Sequence, residues 1–140
     1  VGFVLGRFMA RMLTGRAFFE DIDVILPVPL SHIRRWQRGY NQSEWLARGV
    51  AAITGLPVCS DAVKRVRNNP TQTRLDRWGR LENVDSIFKL TRNCSVLSGK
   101  HLLLIDDVFT TGATILSLCD TLKAVPGTRF SILTLAWAGG

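Results

Sequence analysis

The sequence is short of several things, and each shortage removes a class of protein. No apolar run approaches the roughly 20 residues needed to cross a bilayer; the longest are strand-sized, so no membrane insertion is expected. Val1 to Leu5 are apolar, but neither a basic lead-in nor a small-residue cleavage site accompanies them, so no signal peptide is expected. Cysteine is sparse and scattered. Cys59, Cys94 and Cys119 are odd in number and form no Cys-x-x-Cys pair, which argues against a zinc ribbon within these residues. They read as free thiols in a reducing cytoplasm, with Cys119 on the apolar face of a helix. The two histidines, His32 and His101, have no partner at metal-ligand spacing and suit surface or strand-edge roles. There are no repeats and no low-complexity tracts. Acids are outnumbered, 11 Asp and Glu against 18 Lys and Arg. The resulting net charge of +7 calls for a polyanion, either nucleic acid or a pyrophosphorylated small molecule.

What is present suits one folded domain. A chain of 140 residues with 46% hydrophobic content can bury a real core and is not a mainly disordered segment. It begins without Met, which suggests a fragment or a trimmed product. Residues 1–140 are expected to form a single domain in which 1–20 make an N-terminal helix and edge segment. In Gly2–Leu13, Val4 or Leu5, Phe8 and Met12 share a stripe, so a short amphipathic helix is predicted to lay that stripe on a sheet and to end at Gly15. Ile22–Pro29 is β-branched and apolar, the first strand, closed by Pro27 and Pro29. A basic loop follows, Ser31 to Gln42, carrying Arg34, Arg35, Trp36 and Arg38. Asn41 is placed to cap a helix with Glu44 at the capping-box position, and Leu46, Val50 and Ile53 form its inner face before Gly55 and Pro57 stop it.

Val58–Val66 is predicted as a strand. Periodicity then vanishes from Arg67 to Asn83, a length of loop that is usually functional or disordered. Ser86–Leu90 is a short strand, Asn93–Gly99 a turn, and Phe130–Trp137 the last strand after a Pro126-Gly127 turn. Strands alternate with helices, hence an α/β fold with a largely parallel sheet.

The most informative stretch is His101 to Thr114. Leu102–Ile105 is a continuous apolar run, the mark of a strand buried on both faces, and it ends abruptly in Asp106 and Asp107. Thr110, Thr111, Gly112 and Thr114 follow, and then Ile115, Leu118, Cys119 and Leu122 at helical spacing. A hydroxyl-rich turn opening a helix suits a phosphate, and glycine allows its close approach. Two carboxylates beside a phosphate suit neutral hydroxyls, which they can only accept from. A ribose 5-phosphate at the carboxyl end of a strand meets both needs. The alternative is a strand-to-helix turn of another α/β protein whose acids serve Mg²⁺ in different chemistry.

This stretch resembles the PRPP-binding motif of the type I phosphoribosyltransferases, and two others narrow the likeness. Pro27-Val28-Pro29 with Arg38-Gly39-Tyr40-Asn41-Gln42, and Arg67, Gln72, Arg80, Asn83-Val84 and Phe88, are similar to the ComF/GntX branch. The resemblance runs from about Ile22 to the end. It implies a Rossmann-like phosphoribosyltransferase fold, a mostly parallel sheet flanked by helices. It implies that Asp106 and Asp107 hold the ribose hydroxyls of PRPP, while Thr110, Thr111, Gly112, Ala113 and Thr114 wrap its 5′-phosphate. Pro27, Val28, Pro29, Leu30 and Arg38 would form the pyrophosphate loop. Arg67 to Arg80 would be a lid, with Arg67 and Arg80 joining the acid pair as catalytic residues. Mg²⁺ is expected mainly on PRPP itself, with no dedicated protein ligands.

The implied activity is phosphoribosyl transfer to an unidentified nitrogen acceptor with release of pyrophosphate. The acceptor is set by a hood element, and Val1–Glu20 and Val58–Arg65 show no recognisable pocket for it. Two other classes stay open: a competence protein handling single-stranded DNA on this scaffold, and a PRPP sensor without turnover. The basic loops, with Trp36 and Trp78, suit DNA; they suit a merely solvated surface as well. Trp45, on a helix, suits core or interface. Asn41 and Gln42 have a capping role that competes with a functional one. ComF-like proteins often carry a Cys-rich zinc region ahead of this domain, and these residues hold none. The resemblance also favours a homodimer and a cytoplasmic setting.

Overall fold

The computed structural model describes residues 2–14, 17–29, 41–66, 87–109 and 112–137. Its organising strand is β4 (His101–Phe109), which lies between β1 (Val24–Pro27) and β5 (Arg129–Trp137) in a three-stranded sheet ordered β1-β4-β5. Both neighbours run parallel to it, with Val24 opposite Leu102 and His101 opposite Arg129. Leu102, Leu103, Leu104 and Ile105 are wholly buried because both sheet faces are covered, which is why this strand shows no polar alternation. Leu102 and Leu104 face a core completed by Ile115, Leu118 and Leu122 of α3 (Ala113–Leu122). Leu103 and Ile105 face the other way, onto Leu46, Ala47 and Val50 of α2 (Gln42–Thr54). The α/β architecture predicted from the sequence is therefore present. Among the described residues no helix is long and apolar enough to cross a membrane.

Several boundaries and one face differ from expectation; the first strand is Val24–Pro27 where the sequence predicts Ile22–Pro29, and the last begins at Arg129. Strand β4 does not stop at the acid pair. Pairing with β5 continues past Asp106, opposite Thr134, to Phe109, opposite Trp137, while the last rung toward β1 is Val28 N–H to Ile105 O at 2.9 Å. The Val58–Val66 strand divides. Val58 makes an isolated parallel bridge to Ile25, and only β2 (Val63–Arg65) forms a ladder, antiparallel to β3 (Phe88–Leu90). The break falls at Asp61, whose carboxylate accepts Asn93 Nδ2–H at 3.2 Å and pins the bend. The turn over Asn93–Gly99 contains a 3₁₀ segment, Cys94–Leu97.

The differing face belongs to α1 (Gly2–Thr14). Of the stripe predicted to pack inward, Val4 or Leu5 with Phe8 and Met12, Leu5 packs against the core, but Val4, Phe8 and Met12 are 64%, 61% and 62% exposed, whereas Gly6, Met9 and Ala10 are buried. Small residues decided the face. Gly6 lies against the Leu46 carbonyl and Gly49, so the α1 and α2 backbones touch where neither helix has a side chain. Gly49 is close enough to α1 that an added Cβ would stand 2.8 Å from Arg7 N. The large apolar stripe is turned outward as a result.

Helix α2 follows its sequence signals. Asn41 Oδ1 accepts Ser43 N–H at 3.0 Å, and Gly55 closes the helix at φ 78° with its N–H on Ala51 O at 2.8 Å. Glu44 does not complete the capping box through its side chain; it turns to Arg48 at 3.0 Å. The predicted stop of α1 at Gly15, the Ser31–Tyr40 loop and the Arg67–Asn83 loop lie outside the described residues.

Candidate functional site

The site forms where β1 ends beside β4, at the point where β4 carries its acid pair. Because both strands run parallel, their carboxyl ends open on one edge of the sheet, the edge at which open α/β folds bind ligands. Strand β4 delivers Asp106 and Asp107 there, and β1 delivers Pro27, Val28 and Pro29. Gly112 stands at the start of α3 with φ 84° and ψ −2°, a left-handed conformation that favours glycine, and its carbonyl accepts Leu116 N–H at 2.8 Å. Next to it Ala113 is exposed and Thr114 half-buried, both in the first turn of α3. The structure thus brings together the acid pair, the glycine turn and the β1 exit. Leu30, Arg34, Arg35, Arg38, Arg67, Arg80, Thr110 and Thr111 lie outside the described residues.

Asp106 is held from two directions. Its Oδ1 accepts the Ser43 hydroxyl at 3.1 Å and the Asp107 backbone N–H at 2.9 Å. Burial pushes its carboxyl up to about 6, with the neighbouring Asp107 carboxyl adding to the rise; the Asp107 N–H and Ser43 act against it. Near neutral pH the carboxyl is therefore ionised but close to its midpoint. An ionised pair here can accept two adjacent hydroxyls, and the N-terminal turn of α3 can donate to an anion one step away.

Ser43 escaped the sequence reading, although a signal existed. With Leu46, Ala47 and Val50 it occupies the buried stripe of α2 at helical spacing, a polar residue on an apolar face. Among the described residues it is the buried polar side chain, at 4% exposure. Asn41 has two jobs, capping α2 and donating Nδ2–H to Val28 O at 3.3 Å.

Other polar candidates sit elsewhere. His101 is at the far end of β4, its Nε2 2.7 Å from Ser131 Oγ and its Nδ1 3.0 Å from Asp21 O, a strand-start clasp. Asp23 belongs to the same clasp, accepting His101 N–H at 2.8 Å. Trp45, predicted for core or interface, is 44% exposed with the Arg48 guanidinium 5.7 Å from its ring. His32, Trp36 and Trp78 lie outside the described residues. Among the described residues no group of three or more His, Cys, Asp or Glu is placed to hold a metal ion.

Comparison with known proteins agrees with this layout. A family model described as phosphoribosyl transferase domain matches residues 2–139. Competence protein F of Haemophilus influenzae is 33% identical over 116 residues, 83% of this chain and 51% of that protein. DNA utilization protein YhgH of Salmonella typhimurium is 36% identical over 114 residues, 81% of this chain and 48% of that protein. The chain thus spans about half the length of the curated relatives it matches. The solved adenine phosphoribosyltransferase of Thermoanaerobacter pseudethanolicus superposes with a TM-score of 0.57 at 19% identity, covering 94% of this chain and 67% of that one, a likeness of fold. A parallel α/β sheet, an acid pair toward the carboxyl end of its middle strand and a match over nearly the whole length lead to one assignment: the chain belongs to the phosphoribosyltransferase domain family, in its ComF-like branch.

Proposed function

We propose that this domain binds PRPP with Mg²⁺ at the carboxyl ends of β1 and β4 and transfers its phosphoribosyl group to a nitrogen acceptor. The observation that carries this reading is the Asp106–Asp107 pair toward the carboxyl end of the middle strand, followed in the chain by a left-handed Gly112 that opens α3. In the reaction the bond from the sugar C1 to pyrophosphate breaks, the pyrophosphate keeps the electron pair, and a C1–N bond forms as the acceptor nitrogen loses a proton. Asp106 and Asp107 orient the ribose through its hydroxyls. The start of α3, with Thr110 and Thr111, takes the 5′-phosphate. Pro27, Val28, Pro29, Leu30 and Arg38 meet the pyrophosphate, and guanidinium groups there suit its oxygens bidentately. Arg67 and Arg80 act over the reacting centre, where excluding water protects an oxocarbenium-like C1 from hydrolysis. Mg²⁺ travels as part of the substrate, on PRPP oxygens, and neutralises charge on the departing group. We place the protein in the cytoplasm, where PRPP and reduced thiols coexist.

The test is calorimetric titration of Mg²⁺–PRPP into the wild-type protein and an Asp106→Asn/Asp107→Asn pair. Micromolar binding lost in the folded double variant supports the reading. No binding by the wild type sinks it. Pyrophosphate release with candidate amines then separates a transferase from a sensor.

A second reading is favoured by the names of the relatives, a competence protein and DNA utilization proteins, together with the net charge of +7. On that reading the basic loops carry single-stranded DNA. Binding should then weaken steeply with salt, since each neutralised phosphate releases counterions. A flat salt dependence would count against it.

A further inference from the structure

We propose that Ser43 is the positioning residue for the ribose carboxylate, holding Asp106 through its hydroxyl, and that Asn41 ties the same helix end to the pyrophosphate-loop strand. The proposal rests on the PRPP reading for its consequence in binding, though not for the contact itself.

Ser43 is where packing alone would place alanine. It is 4% exposed on the apolar stripe of α2, and burying a hydroxyl is unfavourable unless it is hydrogen-bonded. The hydrogen bond it donates goes to Asp106 Oδ1, at 3.1 Å, from an element far away in the chain. Asp107 N–H reaches the same oxygen at 2.9 Å. Two donors from different directions fix the plane of the carboxylate. It is then Oδ2 that would take up a ribose hydroxyl.

The helix end that carries Ser43 is itself tied down. Asn41 Oδ1 accepts Ser43 N–H at 3.0 Å while Asn41 Nδ2 donates to Val28 O at 3.3 Å. Val28 N–H in turn reaches Ile105 O at 2.9 Å, one residue before Asp106. The contacts close a ring: β1 exit, Asn41, Ser43, Asp106, and back through β4. Pro29 and Asn41, the described residues on either side of 30–40, both adjoin this ring. The β1 exit and the start of α2 are thus both referenced to the carboxylate that orients the sugar.

Among the described residues the groups facing Asp106 are few. Asp107 adjoins it in β4, Thr134 is its register partner on β5, and Ser43 faces it from α2. Glu44, next along α2, is engaged by Arg48. The charged group that acts on Asp106 among these is Asp107, which repels its ionised form, so the Ser43 donor is what favours ionisation from the helix side.

The experiment compares wild type, Ser43→Ala and Ser43→Thr. The Asp106 carboxyl is titrated by ¹³C NMR without ligand, and Mg²⁺–PRPP affinity is measured by calorimetry from pH 5 to 8.5. Removing the hydroxyl should move the Asp106 midpoint upward from about 6. It should also weaken PRPP binding at pH 7.5 by about tenfold, the scale of one hydrogen bond to a charged group. Thr should restore both, which a loss of packing would not. If Ser43→Ala does not fold, Ser43→Cys keeps the volume with a weaker donor and is read the same way. An unchanged midpoint in the folded variant overturns the proposal. A midpoint that moves in a protein that binds no PRPP upholds the contact and overturns the PRPP reading alone.

Discussion

Gly49 sits in the interior of α2, where exchanging glycine for alanine is ordinarily stabilising by about 0.8–1 kcal/mol. The structure predicts the opposite sign. A Cβ at Gly49 would press on the Phe3 carbonyl oxygen and stand 2.8 Å from Arg7 N and 2.9 Å from Gly6 Cα. All three belong to the α1 backbone, and backbone cannot rotate out of the way as a side chain can. Helix α1 would have to withdraw by more than half an ångström. A gap of roughly 0.5–1 Å already forfeits a quarter to a half of a van der Waals contact. That loss would fall on Met9 and Ala10 where they share a core with Leu46, Ala47 and Val50.

Overpacking costs about 1–3 kcal/mol, and rigid backbone places this site at the upper end. After the gain in helix propensity, a net destabilisation of about 2 kcal/mol remains. For a chain of this size that corresponds to a Tm lower by roughly 5–10 °C. The assay is thermal and urea unfolding of Gly49→Ala, with the urea slope unchanged. Ala52→Gly, at an exposed position of the same helix, calibrates the propensity term and should cost about 1 kcal/mol. A Gly49→Ala protein that melts at or above the wild-type temperature would refute the close α1–α2 contact.

The Asp106 midpoint of about 6 lies above the ordinary carboxylate value of 3.8, so the native state binds this proton more tightly than the unfolded chain. Its contribution to stability is present in full below about pH 4 and is lost as the pH rises through 6, on the order of 3 kcal/mol. Asp106→Asn should therefore raise the Tm at pH 7.5 with little effect at pH 4, while abolishing PRPP binding; melts at the two pH values check it. Asn41→Ser keeps a capping acceptor and loses the donor to Val28 O, so Tm should hold while PRPP affinity falls severalfold by calorimetry. Gly112→Ala forces a side chain to φ 84° and should cost about 1–2 kcal/mol in urea unfolding, with weaker PRPP binding.

Much of this layout is legible in the chain because local chemistry settles it. The apolar run Leu102–Ile105 becomes a strand covered on both faces, the Ile115–Leu118–Leu122 spacing becomes the inner face of α3, and Asn41 and Gly55 cap α2. What escaped depends on residues far apart in sequence. The inward face of α1 is set by Gly6 meeting Gly49, a meeting that hydrophobic periodicity does not encode, so of the predicted stripe Leu5 packs inward while Phe8 and Met12, with Val4, face out. The extension of β4 past the acids depends on β5, whose ladder runs to Phe109 opposite Trp137 while that of β1 ends at Pro27 opposite Ile105. The division at Asp61 depends on Asn93. Ser43 was visible as a polar residue on an apolar stripe, but its partner, Asp106, was not.

Helix α2 joins these strands of the argument. Its middle turns bury Leu46, Ala47 and Val50 and admit α1 at Gly49, while its first turn presents Ser43 to Asp106. An acid brought to a midpoint of about 6 by burial and by a second acid beside it is a liability for folding alone. Two hydrogen-bond donors limit that liability without removing it, which suits a carboxylate kept for a ligand. The position of Ser43 depends on how α2 lies on the sheet, and that depends partly on α1. A lesion at Gly49 should therefore weaken PRPP binding beyond its effect on the folded fraction. A lesion at the exposed Ala52, matched to it in stability, should not.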